Sequence, residues 1–154
     1  MRAYARKLGE DEELWAITGL LHDFDYEKHP SKEEHPFVGC RILTERGYPP
    51  AVIEAILGHA SYSGTPRVTP MARALFAVDE LCGLITATAL VQPGKTLAEV
   101  TADSVLRKMK KKEFARTVNR DEIAQGAEEM GVPLEEHVAF SLSALQGSAG
   151  ALGL

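Results

Sequence analysis

The chain of 154 residues carries 17 Lys+Arg against 22 Asp+Glu, a formal net charge of −5, which argues against a broad nucleic-acid-binding surface. Its 45% hydrophobic and 25% charged residues are globular values, and the length suffices for one domain whose core needs no disulfide or metal staple. Cys40 and Cys82 form no CxxC pair, which argues against a disulfide scaffold and fits a reducing cytosol, and neither a membrane-span-length apolar run nor a signal-peptide pattern is present.

Apolar spacing is helical almost throughout, with no alternating strand pattern and no internal repeat, so the expected fold class is all-α. Residues 1–8 read as the last turns of a helix, stopped by Gly9. That helix opens without an N-cap residue, as though it began midway. A second helix is predicted over 11–22, with acidic residues in its first turn and Leu14, Trp15, Ile17, Leu20 and Leu21 behind them. The segment 23–31 is polar and holds His29-Pro30. Ser31 with Glu34 three residues on has the form of a capping box, launching a helix through His35, Val38, Ile42 and Leu43 to Arg46-Gly47. Pro49-Pro50 starts the next helix, which reaches about His59. A loop over 61–67 follows.

Thr69-Pro70 is an N-cap with proline at the first helical position. The helix behind it, about 71–90, is the longest and most apolar, and such helices tend to be central. Shorter helices are predicted over 103–111, 120–130 and 134–146. The Gly/Ala-rich stretch 147–154 reads as a flexible tail, leaving one domain over 1–146.

The chemistry is concentrated in Leu20-Leu21-His22-Asp23. Adjacent helical residues point about 100° apart, so both side chains reach one ion only near a helix end. The competing reading is a polar C-terminus with His22 offsetting the helix dipole. Asp79 adds weight to a metal site: its neighbours at three and four residues are Leu75, Phe76, Cys82 and Gly83, where an ionised carboxylate is costly unless paired or metal-bound. Glu80 is surrounded just as apolarly, and on spacing alone either acid can point inward or form a structural ion pair. His35 opens one helix and His59 ends another, at helix ends where side chains from different helices can converge. His29, in a turn, and His137, read as part of a solvated face, fall outside the site.

Leu20-Leu21-His22-Asp23 with Asp79 in a later central helix resembles the HD-domain superfamily of metal-dependent phosphohydrolases, and most closely the small bacterial HDIG-type proteins. The resemblance covers roughly residues 1–90, with 91–146 as the C-terminal helices of the same group. The family pattern is a His, then a His-Asp pair, then a distant Asp, and it selects Asp79 over Glu80. His35, followed by Pro36 and Gly39, and His59 match the additional histidines of two-metal members. Ala60 and the lack of a GYP motif depart from the cyclic-dinucleotide phosphodiesterases. Residues 1–21 contain no histidine, so the family's first His is absent. The expectation is a truncated first helix, with a water, a neighbouring side chain or a partner chain in that ligand's place.

The resemblance implies a first ion on His22, Asp23 and Asp79, and Asp23 bridging to a second ion on His35 and His59. Asp23 and Asp79 would be the catalytic carboxylates, Asp79 orienting the attacking water. Mixed imidazole and carboxylate donors suit Mn²⁺, Fe²⁺, Co²⁺, Ni²⁺ or Zn²⁺, and Mg²⁺ less well. The substrate would be a nucleotide or other small phosphate ester, met by Lys28, Lys32 and Arg67 from loops adjoining the ligand segments. The basic run 107–112 reads as a solvated helix end complementing the dipole. No nucleic acid or membrane partner is expected. An apolar groove left by the short first helix suits a second copy of the chain, giving a homodimer. The alternative to a cytoplasmic phosphohydrolase is a catalytically weakened HD-fold binding module.

Overall fold

The computed structural model describes residues 1–154 and is all-helical: α1 Arg2–Leu8, α2 Glu12–Leu21, α3 Phe37–Glu45, α4 Pro50–His59, α5 Pro70–Leu90, α6 Ala102–Met109, α7 Arg120–Glu129, α8 Leu134–Gln146 and α9 Ala149–Leu152. Short 3-10 turns occupy Ser61–Ser63 and Leu97–Glu99. The chain forms two compact units, Met1–Phe76 and Ala77–Leu154, with the division falling inside α5. No helix is long and apolar enough to cross a membrane.

In the first unit the helix boundaries follow local chemistry. Gly9 ends α1 in the left-handed conformation at φ 72°, with amide bonds back to the Ala5 and Arg6 carbonyls. Asp11 caps α2 by accepting from the amides of Glu13 and Leu14. The packed faces are small: Ala5 from α1, Trp15 and Thr18 from α2, Leu43 from α3, and Val52, Ala55 and Ile56 from α4, joined by Met71, Ala72, Leu75 and Phe76 of early α5. Buried Thr18 spends its hydroxyl on the Leu14 carbonyl at 2.8 Å and lies 3.3 Å from the Met71 sulfur.

The third helix starts later than its sequence predicts. Residues 32–36 are turns and α3 begins at Phe37. Pro36 has no amide to donate and disfavours helical geometry at His35. The expected capping box does not form with the backbone; the Ser31 hydroxyl instead lies 3.1 Å from the Glu34 carboxylate.

The second unit is built on a cluster of Leu81, Leu84, Ile85, Ala89, Leu97, Val100, Val105, Ile123, Val138 and Leu142. Thr101 and Ser104 form a reciprocal capping box at the start of α6, and Asn119 caps α7. Gly126 lies so close to α5 that a Cβ there would sit 2.5 Å from the Ala77 Cα. Residues 147–154, expected to be a flexible tail, include the one-turn α9, because Ala149 and Leu154 pack against the cluster.

His137 corrects its sequence assignment to a solvated face. It is fully buried, with Nε2 2.8 Å from the Ala77 carbonyl, to which it donates. Glu135 and Glu136 are exposed in the first turn of α8, and one further step of about 100° turns the next side chain inward. Glu80 also has a structural partner: its carboxylate accepts the Asn119 amide at 3.1 Å, next to the start of α7. Burial raises the Glu80 pKa, and this hydrogen bond opposes the rise.

Candidate metal centre

Three helix ends in the first unit bring imidazoles together. His22 is the C-cap of α2, His59 the last residue of α4, and His35 lies just ahead of α3. Each ring has its Nδ1 against an acceptor. His22 Nδ1 is 2.8 Å from the Gly19 carbonyl, His35 Nδ1 is 2.8 Å from Asp25 Oδ1, and His59 Nδ1 bonds the Ile56 carbonyl. A carbonyl or carboxylate oxygen can only accept, so in each neutral ring the proton is on Nδ1 and the lone pair on Nε2. These are the tautomers that bind a metal through Nε2.

The Nε2 atoms converge on Asp23. His35 Nε2 and His59 Nε2 are 3.3 Å apart, and Asp23 Oδ1 lies 3.3 Å from the first and 3.4 Å from the second. The other oxygen of Asp23 is 3.3 Å from His22 Nε2. The His22 and His59 rings meet edge to face, with centroids 5.1 Å apart. Three electron-rich atoms in a near-equilateral triangle repel unless a cation joins them. The spacing suits one small ion with bonds of about 2.0–2.2 Å to nitrogen and oxygen. Asp23, His35 and His59 thus fit a divalent ion in donor chemistry and in spacing.

Burial grades this group. The side chains of His35 and His59 are only 4% and 6% exposed, His22 is 19% exposed, and Asp23 is 51% exposed. Its buried donors therefore meet solvent on the Asp23 side. Burial opposes ionisation of Asp23, but when His22 and His59 are protonated their hydrogen bonds and positive charge outweigh it and hold the carboxyl well below its usual range.

Asp25, which sequence reasoning missed, is the second acid here and, unlike Asp23, is buried. It accepts from His35 through Oδ1 and from the Gly39 amide through Oδ2 at 2.7 Å. Tyr26 packs edge-on against the His35 ring at 5.1 Å, and the Tyr62 hydroxyl donates to the His35 carbonyl at 3.0 Å. Lys32 extends over the Tyr62 ring, its Nζ 5.4 Å from the centroid, while Lys28 is exposed in the preceding turn. The Arg67 guanidinium stacks on Phe76 at 3.6 Å and donates to the Gly58 carbonyl at 3.0 Å, which ties the loop before α5 to the end of α4. His29 pairs with Glu34 at 3.0 Å, apart from the histidine group. Asp79 is half-buried on α5, one turn beyond Phe76.

A family model for the HD domain matches residues 1–84, more than half of the chain. The chain belongs to the HD domain family. The HD domain marks the superfamily of metal-dependent phosphohydrolases, and its members typically bind divalent metals, as the histidine and aspartate group described above is suited to do. No curated protein and no solved structure matches the chain. The matched residues 1–84 of the HD domain include His22, Asp23, His35, His59 and Asp79.

Proposed function

We propose that this HD-domain protein hydrolyses a nucleotide or other small phosphate ester at a divalent metal centre. The observation that carries the reading is the convergence of His35 Nε2, His59 Nε2 and Asp23 Oδ1 within 3.3–3.4 Å of one another, with both rings fixed in the ligand tautomer. A divalent ion held there supplies Lewis acidity, polarising a phosphoryl oxygen and making a bound water nucleophilic near neutral pH.

The chain's own groups divide the remaining work. His22, His35 and His59 bind through Nε2. Asp23 faces His22 with one oxygen and the other two histidines with its second, the disposition of a bridging carboxylate. Asp79 is assigned as a further ligand and water-orienting carboxylate on the family pattern. Lys32 and exposed Lys28 supply positive charge for the phosphate. Tyr26 and Tyr62 flank His35 and are 51% and 44% exposed, leaving ring surface for the organic part of a substrate. Arg67 is committed to Phe76 and Gly58 and serves the fold in this reading.

The test is a metal analysis of the purified protein followed by a panel of nucleotides and phosphomonoesters with added Mn²⁺ or Ni²⁺. Metal-dependent phosphate release is the expected result. Metal bound without turnover would instead assign the chain as a binding module on an HD fold. Failure to bind either ion would remove the metal centre itself.

A further inference from the structure

His22 and His59 are held by backbone carbonyls, of Gly19 and Ile56, each three residues back. His35 is held differently, by a side chain. We propose that Asp25 is a positioning residue that sets the His35 tautomer and so determines whether His35 Nε2 can bind a metal. The proposal rests on the metal-centre reading above and adds to it the group that makes His35 a ligand.

Asp25 is 4% exposed, and both of its carboxylate oxygens are used. Oδ1 accepts a hydrogen bond from His35 Nδ1–H at 2.8 Å and Oδ2 accepts one from the Gly39 amide at 2.7 Å. A neutral imidazole has a single N–H, so a carboxylate at Nδ1 leaves the lone pair on Nε2. The ring has little freedom to escape this bond, since Tyr26 packs on its edge and Tyr62 holds its backbone carbonyl. Carboxylate contact also makes the imidazole a stronger donor than a carbonyl contact does.

The carboxylate is not replaceable by its amide. An asparagine has one accepting oxygen for two donors. With that oxygen on the Gly39 amide, its NH₂ faces His35 Nδ1, which must then accept, and the proton moves to Nε2, where the ion belongs. With the oxygen on Nδ1 instead, the NH₂ opposes the Gly39 N–H. Gly39 is part of the same device: a Cβ there would lie 2.8 Å from the Asp25 Cγ and Oδ2. The close approach of Asp25 to α3 therefore requires a glycine at that position.

The first experiment uses the unaltered, metal-free protein. Its histidine side chains are read by long-range ¹H–¹⁵N NMR at about pH 8, where free imidazole is neutral, and the His35 signal is assigned by its loss in His35→Ala. The expected pattern is protonated Nδ1 and bare Nε2; a bare Nδ1 would overturn the proposal. The second uses Asp25→Asn with titration of Mn²⁺ and of Ni²⁺. The expected result is the opposite tautomer at His35 and a loss of metal affinity of about tenfold to a hundredfold, with the helical circular dichroism retained. Gly39→Ala, which displaces Asp25 without changing its chemistry, should lower affinity in the same direction. If His35→Ala weakens metal binding and Asp25→Asn does not, the centre stands and Asp25 has no positioning role. If the unaltered protein binds neither ion, the metal reading fails, and the tautomer measurement still decides what Asp25 does.

Discussion

Asp23 is the exposed carboxylate against which three largely buried imidazoles converge. Hydrogen bonds and charge from His22 and His59 lower its pKa in the folded chain despite burial. A carboxylate with a depressed folded pKa contributes stability above its unfolded value, about 3.9 for Asp, and loses it as the pH falls through that value toward the folded one. The melting temperature of the metal-free protein should therefore fall less steeply as the pH drops below about 4 in Asp23→Asn than in the parent, which a pH series of thermal melts would measure. Cys40 behaves in the opposite sense. Burial, aided by the negative charge of Asp25, pushes its thiol up to about 12. The folded chain prefers the neutral thiol, so the contribution is complete below the unfolded pKa of about 8.5 and fades as the pH rises toward 12. Cys40 should resist alkylation at about pH 8.5 until the protein is unfolded, as quenched mass spectrometry would show. The places of His22, His35 and His59 near helix ends allowed them to converge, but on spacing alone each could as well cap a helix or face solvent, and only the family pattern grouped them. Asp25 was not legible, because an acid in the polar run Asp23-Phe24-Asp25-Tyr26-Glu27 reads as solvated unless its bonds to His35 and Gly39 are known.

The helices themselves were legible where capping chemistry is strong. Gly9, Pro50 and Thr69-Pro70 marked boundaries that the fold keeps. The start of α3 was less legible, because Ser31 and Glu34 look like a helix start while Pro36 postpones it. Close packing between elements was also hidden from the sequence. Gly126 of α7 meets the α5 backbone at Ala77, so Gly126→Ala forces a backbone shift or off-rotamer packing in the second unit. The expected loss is about 1–3 kcal/mol, readable by urea unfolding. On α5, Asp79 and Glu80 were indistinguishable by their apolar neighbours, and the Asn119 amide gives Glu80 an independent structural purpose. Asp79→Ala should accordingly lower bound metal in elemental analysis while leaving helical circular dichroism unchanged. Unchanged metal content would remove Asp79 from the centre.

At the scale of the molecule, the all-helical class was readable from period alone, whereas the grouping into two compact units was not. Hydrophobic spacing reports which face of a helix is buried, and it says nothing of which partner covers that face. His137 shows the cost of that ignorance, since its acidic neighbours suggested solvent and its side chain lies in the interior of the second unit. His137→Ala would leave a cavity and remove the imidazole's bond to the Ala77 carbonyl, for an expected loss of about 3 kcal/mol, measurable by thermal melting. Because an ion that binds only the folded chain stabilises it by mass action, saturating Mn²⁺ or Ni²⁺ should raise the melting temperature of the parent. A chelator should reverse the shift.

The bonds from His22 to Gly19 and from His59 to Ile56 have one more consequence. The last carbonyls of a helix have no amide partner of their own and are where a helix frays. Here two of the carbonyls near such ends are occupied by imidazoles, so opening of the final turn of α2 or α4 releases a ring, and an ion gripping the rings opposes that opening. Loading the centre should slow amide hydrogen exchange in the closing turns of both helices, linking the breathing of the chain to the occupancy of a few electron pairs.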